Sequence, residues 1–129
     1  MSDRFNKYDV IMCDLPEGIE SVQSGYRPAI VLQNEIGNRF SPTLIVVPLT
    51  KKIKNLNQPT HLFIQKDENN KLDHDSMLLA EQIVTVSKNG AKRIGKISDR
   101  NLQKSIFKCY IYAAAYGEFD EDFRELQIG

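Results

Sequence analysis

Two apolar segments separated by a polar connection constrain the fold of this 129-residue chain more than any other feature. Residues 28–33 (PAIVLQ) and 43–49 (TLIVVPL) are rich in Ile, Val and Leu, which is typical of strands covered on both faces. Arg27 stands just before the first predicted strand and Thr50 just after the second. If the strands pair antiparallel, both residues lie at the same end of the sheet. A guanidinium and a hydroxyl directed at one point can form a phosphate site.

Short strands are predicted along most of the remaining sequence. Apolar and polar residues alternate between clusters of turn-forming residues, which is the pattern of half-buried strands. The segments with this pattern are residues 8–15, 60–64, 76–80, 82–87 and 92–97. The connection between the two central strands is predicted to be a long polar loop with one irregular turn.

One helix is predicted over residues 99–116, with Ser98 as N-cap and Gly117 as its stop. Its apolar positions, which recur at helical spacing, are Leu102, Ile106, Cys109, Tyr110 and Ala113. Many short strands followed by one helix indicate a mainly β protein, built as a small bent sheet or open barrel.

Length and charge narrow the class of protein. No apolar run approaches the roughly 20 residues that span a membrane, and no secretion signal is recognisable, so a cytoplasmic protein without a membrane partner is expected. Five of the 17 acidic residues lie in residues 118–129, which leaves residues 1–117 with a net charge of +4. We expect one domain over residues 1–117, whose basic surface could bind an anionic strand, and a solvated acidic tail.

No metal and no cofactor are expected. Cys13 and Cys109 are far apart and lack the spacing of metal ligands, and His61 and His74 have no partner motif for zinc. Both cysteines are predicted to be small buried residues.

Several motifs stand in an order that resembles one known family. Residues 8–15 read YDVIMCDL, and Ser21, Gln23 and Gly25 lead into a G-x-R-P sequence that contains Arg27. The later motifs are IVLQNEIGNRFSPT, a strand ending in PLT at Thr50, PTHLFI and DSMLLAEQI. Over residues 8–117 this order resembles the MazF/PemK-type toxins of bacterial toxin–antitoxin systems.

The resemblance implies an SH3-like open β-barrel with a C-terminal helix that works as a homodimer. It also implies a metal-independent, sequence-specific endoribonuclease that cuts single-stranded RNA, chiefly mRNA, and a cognate antitoxin as partner. Arg27 and Thr50 match the family's catalytic positions. The residues expected to contact the substrate are Ser21, Gln23, Lys52, Glu81 and Gln82.

The chemistry of such cleavage suits these residue types. The 2′-hydroxyl of RNA can attack the neighbouring phosphate, so that the protein must mainly align the nucleotide and stabilise the charged phosphorane. Arg27 suits the second task, and Thr50 can donate a hydrogen bond or position the 2′-oxygen. A guanidinium does not give up its proton near neutral pH, so His61 is an alternative general base, although an isolated histidine on a strand is more often simply packed or exposed.

The sequence departs from the family pattern at three places: Val22, residues 24–25 and Val84. At residues 24–25, serine replaces the first of two glycines. The two valines replace charged residues, which is expected to alter RNA affinity or sequence preference more than the chemistry. They leave open a same-fold homologue that binds RNA or antitoxin without cleaving. A gyrase-poisoning toxin of the same fold is a further alternative, but such toxins act through a tryptophan-containing C-terminal segment and this chain has no Trp.

Overall fold

The structure, a computed structural model, describes residues 4–16 and 25–115. The elements of these ranges are β1 (Asp9–Leu15), β2 (Gly25–Val31), α1 (Glu35–Phe40), β3 (Thr43–Thr50), β4 (His61–Ile64), β5 (Ser76–Leu79), a 3₁₀ helix (Ala80–Gln82), β6 (Val84–Ser87), β7 (Lys92–Lys96) and α2 (Arg100–Ala115). The predicted mainly β fold with a C-terminal helix is confirmed. The predictions for Ser21, Gln23 and the acidic tail lie outside the described residues.

The central strands β2 and β3 pair antiparallel, with Ile30 opposite Val47 and Val31 opposite Val46. Because side chains alternate along a strand, Ile30 and Val47 pack into one buried cluster, which includes residues of α2. Val31 and Val46 pack into a second cluster. Both faces of these strands are therefore buried, as their apolar composition predicted.

The sheet is antiparallel and follows the order β4-β5-β3-β2-β1-β7, with β6 paired to β3. β3 changes partner along its length, since residues 43–46 pair with β6 whereas Leu49 and Thr50 pair with β5. In the described ranges the end strands β4 and β7 do not pair with each other. The sheet is therefore open, as an open barrel requires.

The boundaries of the central strands differ from the prediction at both candidate catalytic residues. β2 begins at Gly25 because residues 25–28 continue the ladder with β1, where Arg27 lies opposite Cys13. Arg27 is thus inside a strand rather than before it, and Thr50 is the last residue of β3 rather than the first beyond it.

The connection between β2 and β3 contains a regular helix, α1, where an irregular turn was predicted. The side chain of Asn34 caps it by accepting from the backbone N–H of Gly37 at 2.9 Å. The buried side chains of Gln33, before the helix, and Asn38, within it, hydrogen-bond to each other. Side-chain capping rather than apolar periodicity stabilises these six residues, so the hydrophobic pattern gave no sign of them.

Helix α2 packs on the sheet through Ile106 and Cys109, which confirms the predicted burial of Cys109. Tyr110 was expected on the same stripe but is 37% exposed, and Ile111 is buried instead. The helix begins at Arg100, one residue later than predicted. No helix of the described residues is long and apolar enough to cross a membrane.

Candidate active site: two clefts at the end of the central strands

The ladder between β2 and β3 ends at the pair Ala29 and Pro48, beyond which the two strands have different partners. β2 continues along β1, and β3 continues along β5. Pro28 and Pro48 stand at this point, and neither has the backbone N–H that would extend a ladder. Arg27 and Thr50 therefore lie at the same end of the sheet, as predicted, on strands that no longer pair.

One cleft, which we name the Arg27 cleft, opens on the β2 side and has a volume of about 500 Å³. Its polar and aromatic lining residues are Tyr26, Arg27, Lys51, Lys71, Asp73, His74 and Ser76. Arg27, Lys51 and Lys71 are exposed. With three cations and one carboxylate among these lining residues, the cleft carries a positive charge that suits a phosphate.

The loop between β4 and β5 brings Lys71, Asp73 and His74 to this cleft, which sequence patterns did not predict. The loop is organised by buried Asn70, whose side-chain oxygen accepts from the backbone N–H groups of Asp67 and Leu72, each at 3.0 Å. It also docks against β7, where the Lys96 N–H donates to the Asn69 carbonyl. The polar sequence of this loop indicated only a turn, because the strand against which the loop packs lies about 25 residues further along the chain.

A second cleft, which we name the Thr50 cleft, opens on the β5 side and has a volume of about 310 Å³. Its lining residues are Thr50, Lys52, Lys54, His61, Met77, Leu79, Glu81 and Gln82. The structure thus brings together four predicted site residues, Thr50, Lys52, Glu81 and Gln82, although they come from separate segments. Glu81 and Gln82 lie on the 3₁₀ helix, so the predicted strand 82–87 begins only at residue 84.

The Thr50 side chain has a structural role that is compatible with a chemical one. Thr50 is 7% exposed, and its Oγ1 accepts from the backbone N–H of Lys52 at 3.2 Å. A hydroxyl that accepts one hydrogen bond keeps its own proton for donation. Thr50 can therefore stabilise the turn after β3 and still donate to an oxygen of a ligand.

The His61 ring is held on both sides in the Thr50 cleft. Its Nδ1 lies 3.1 Å from the carbonyl oxygen of Asn55, and its Nε2 lies 3.1 Å from Oε2 of Glu81. The side chain of His61 is 8% exposed, against 38% for Glu81. Because a carbonyl and a carboxylate only accept, a ring nitrogen that carries a proton donates to its partner, and both nitrogens face protein groups. This arrangement disfavours His61 as the general base that its sequence position suggested.

The two cysteines are not poised for nucleophilic chemistry. Cys13 is 1% exposed, and burial, together with the Asp14 carboxylate, raises the pKa of its thiol to about 11. Burial also raises the pKa of Cys109. Both groups are therefore neutral thiols near pH 7. Across residues 4–16 and 25–115, no group of three His, Cys, Asp or Glu side chains could hold a metal ion.

The fold and the clefts define a class of protein, a small antiparallel β protein with two clefts lined by cationic side chains. Sequence comparison then identifies the family. Residues 6–105 match the PemK-like, MazF-like toxins of type II toxin–antitoxin systems. The chain is 41% identical over 97 residues to Endoribonuclease MazF of Staphylococcus saprophyticus, which covers 74% of this chain and 80% of that relative. The chain therefore belongs to the MazF/PemK toxin family, as its motifs predicted.

Solved structures share its fold. A MazF from Deinococcus radiodurans has a TM-score of 0.70 at 14% identity, covering 85% of this chain and 96% of that one. An endoribonuclease in complex with its cognate antitoxin, from a mycobacterial species, has a TM-score of 0.68 at 19% identity, covering 86% of this chain and 95% of that one. At these identities the likeness concerns the fold, and it confirms the predicted MazF-type architecture.

Proposed function

We propose that this MazF-type endoribonuclease cuts single-stranded RNA, chiefly cytoplasmic mRNA, without a metal ion. Family membership and the 41% identity to a MazF endoribonuclease support the activity. The observation that carries the site assignment is the placement of Arg27 and Thr50 at one end of the sheet, on strands that separate to form two clefts.

The proposed reaction uses the nucleophile that RNA itself carries. The 2′-oxygen attacks the adjacent phosphorus as it loses its proton, the bond from phosphorus to the 5′-oxygen breaks, and the departing 5′-oxygen gains a proton. The products are a 2′,3′-cyclic phosphate and a 5′-hydroxyl. Catalysis then requires alignment of the attacking and leaving oxygens, and donors that stabilise the negative phosphorane oxygens.

Arg27 supplies the main stabilising charge in this scheme. Its guanidinium stands in a cleft with Lys51 and Lys71, and a planar fork of N–H donors matches two phosphorane oxygens. Thr50 donates its hydroxyl proton to the phosphate or positions the 2′-oxygen. Arg27 does not act as the base, because a guanidinium stays protonated.

Binding of the flanking nucleotides is assigned to the Thr50 cleft and to two residues that precede β2 in the sequence. Lys52 is exposed and suits a phosphate. Glu81 and Gln82 have side chains that can contact base edges. Ser21 and Gln23, which precede Arg27 in the sequence, complete the proposed set.

Two protein partners belong to the proposal. A relative of the same fold is known in complex with its cognate antitoxin, which supports an antitoxin partner for this chain. A homodimer is supported by apolar side chains on α1, where Ile36 is 73% exposed and Phe40 is 76% exposed. Contact with a second subunit would remove this apolar surface from water.

The test is incubation of the purified protein with a long single-stranded RNA in EDTA, followed by mapping of the product ends. Arg27→Ala is compared with Arg100→Ala, an exposed arginine at the start of α2 outside both clefts. We expect discrete cuts with cyclic phosphate ends from the wild type and Arg100→Ala, and almost none from Arg27→Ala. Absence of cutting by the folded wild-type protein across diverse RNAs would contradict the proposal and favour a non-catalytic homologue.

A further inference from the structure

The pairing of His61 with Glu81 joins two walls of the Thr50 cleft. The ring of His61, on β4, reaches the backbone of Asn55 on one side and the carboxylate of Glu81, on the 3₁₀ helix, on the other. Asn55 belongs to the exposed basic segment 51–59, which carries Lys52 and Lys54 to the cleft. The ring therefore fixes the position of a carboxylate relative to two cations.

This contact uses one oxygen of Glu81 and leaves the other available. Oε2 lies 3.1 Å from His61 Nε2. In the described part of the chain Oε1 has no hydrogen-bond partner, although the side chain is 38% exposed and lines the cleft. A carboxylate held in this way presents one fixed acceptor to a ligand. Without His61, the same carboxylate could turn toward Lys52 or Lys54 and lose that orientation.

We propose that His61 is a positioning residue that holds Glu81 so that its Oε1 accepts from the exocyclic amino group of an adenine or cytosine in the RNA. The inference rests on the proposed function and adds a base-reading site to it. At C6 of adenine and C4 of cytosine the base carries an amino donor, whereas C6 of guanine and C4 of uracil carry a carbonyl oxygen that a carboxylate disfavours. Guanine also has two adjacent donors, but pairing with both would need both carboxylate oxygens, one of which is bound to His61.

The neighbours of the Glu81 carboxylate are consistent with this role. Gln82 lines the same cleft next to it and can bond a further atom of the same base. Met77 and Leu79 of β5 form the buried floor beneath this cleft. Thr50 is also in this cleft, so the base lies close to the nucleotide that is cut.

Three variants separate the parts of the proposal. His61→Gln keeps a donor near the position of Nε2 and can still hold Glu81, whereas His61→Asn keeps a donor near Nδ1 and can hold only Asn55. Glu81→Gln replaces one acceptor oxygen by an N–H donor. Each variant is given a random single-stranded RNA pool, and the bases around the cut sites are sequenced. KM and kcat are then measured on the best wild-type site.

We expect the wild type to favour adenine or cytosine at one position near the cut. Glu81→Gln should shift that position toward guanine or uracil by about 10-fold, since one base contact is worth on the order of 1–3 kcal/mol. His61→Asn should lose the preference and raise KM by about 10-fold with kcat within about threefold. His61→Gln should keep the base preference and KM close to those of the wild type. Unchanged preference in both His61→Asn and Glu81→Gln would overturn the proposal, as would an equal loss in His61→Gln and His61→Asn.

A binding measurement distinguishes this proposal from the proposed catalysis. The same variants are titrated with a 2′-O-methyl RNA pool, which offers the bases but no 2′-hydroxyl, and the bound fraction is sequenced. If the wild type cuts nothing but binds adenine or cytosine selectively, and Glu81→Gln abolishes this selectivity, the base-reading site stands and the catalytic proposal fails. If the wild type binds this pool without any base preference and also cuts without one, the base-reading site is refuted. Should His61→Asn fail to fold, the Glu81→Gln result decides.

Discussion

The two clefts at the end of the central strands differ in the charge and exposure of their polar residues. In the Arg27 cleft the cations Arg27, Lys51 and Lys71 are exposed in a volume of about 500 Å³. In the Thr50 cleft, about 310 Å³ in volume, the Thr50 hydroxyl and the His61 ring are tied by hydrogen bonds. A phosphate is recognised by charge at some distance, whereas a base edge requires donors and acceptors at fixed points. The difference suggests that the first cleft stabilises charge and the second selects the nucleotide.

The sharpest test of this division is loss of the Arg27 charge. Arg27→Ala should lower kcat by at least about 10²–10³-fold, the usual cost of one preorganised donor to a developing anion. Arg27→Lys keeps the charge without the planar fork, so its kcat should lie between those of the wild type and Arg27→Ala. Single-turnover cleavage of a defined RNA measures both. A loss confined to KM would show that Arg27 only binds RNA.

Thr50 should have a smaller effect than Arg27, because a neutral hydroxyl donor stabilises an anion less than a cation does. Thr50→Val, similar in shape, should lower kcat by about 10–100-fold, whereas Thr50→Ser should keep most of the activity. The melting temperature of both variants serves as a control, since Thr50 also accepts from the Lys52 N–H. Equal activity of Thr50→Val and wild type would reduce Thr50 to a turn residue.

The Arg27 cleft should be sensitive to the docking of the β4–β5 loop. A Cβ at Gly95 would come within 2.5 Å of the Asn70 carbonyl oxygen, so Gly95→Ala should destabilise the fold by about 1–3 kcal/mol through overpacking. It should also raise KM several-fold as Lys71 and His74 move. Gly90→Ala is a matched control, because Gly90 has a φ of +87° in open space and should lose stability without a change in KM. Thermal unfolding and steady-state kinetics report the two effects.

Removing single lysines should have modest effects that do not depend on sequence. Lys71→Ala in one cleft and Lys54→Ala in the other should each weaken RNA binding and reduce the slope of log affinity against log salt by about 0.7. Titrations at several salt concentrations with two unrelated RNAs measure this slope. A change of base preference in either variant would contradict a purely phosphate-binding role.

The smallest effect is expected at Cys13, which lies opposite Arg27 in the β1–β2 ladder. With its pKa raised to about 11 by burial, about 1% of this thiol is thiolate at pH 9. In the Cys109→Ser background, iodoacetamide should therefore modify Cys13 slowly in the folded protein at pH 9 and rapidly in denaturant. Activity should be unchanged after exposure of the folded protein. Fast modification with loss of cleavage would place a reactive thiol beside Arg27.

Sequence patterns predicted the central strands well because their side chains are apolar on both faces, and this property is local. Their antiparallel pairing, which entered the prediction as a condition, is observed, and it brings Arg27 and Thr50 to the same end of the sheet. Patterns missed α1, whose six residues depend on the Asn34 cap and on the Gln33–Asn38 hydrogen bond. They also missed Lys71 and His74, since nothing local indicates where a polar loop docks.

By itself the sequence determined the order of strands, the final helix and the family, because apolar periodicity and the order of motifs are properties of the sequence alone. Only the tertiary structure decided that Arg27 and Thr50 line different clefts, through a ladder that ends at Pro48. Only the tertiary structure showed that the His61 ring lies between the Asn55 carbonyl and the Glu81 carboxylate. His61 and Glu81 are 20 residues apart, and a contact of that separation depends on strand pairing that no local pattern records.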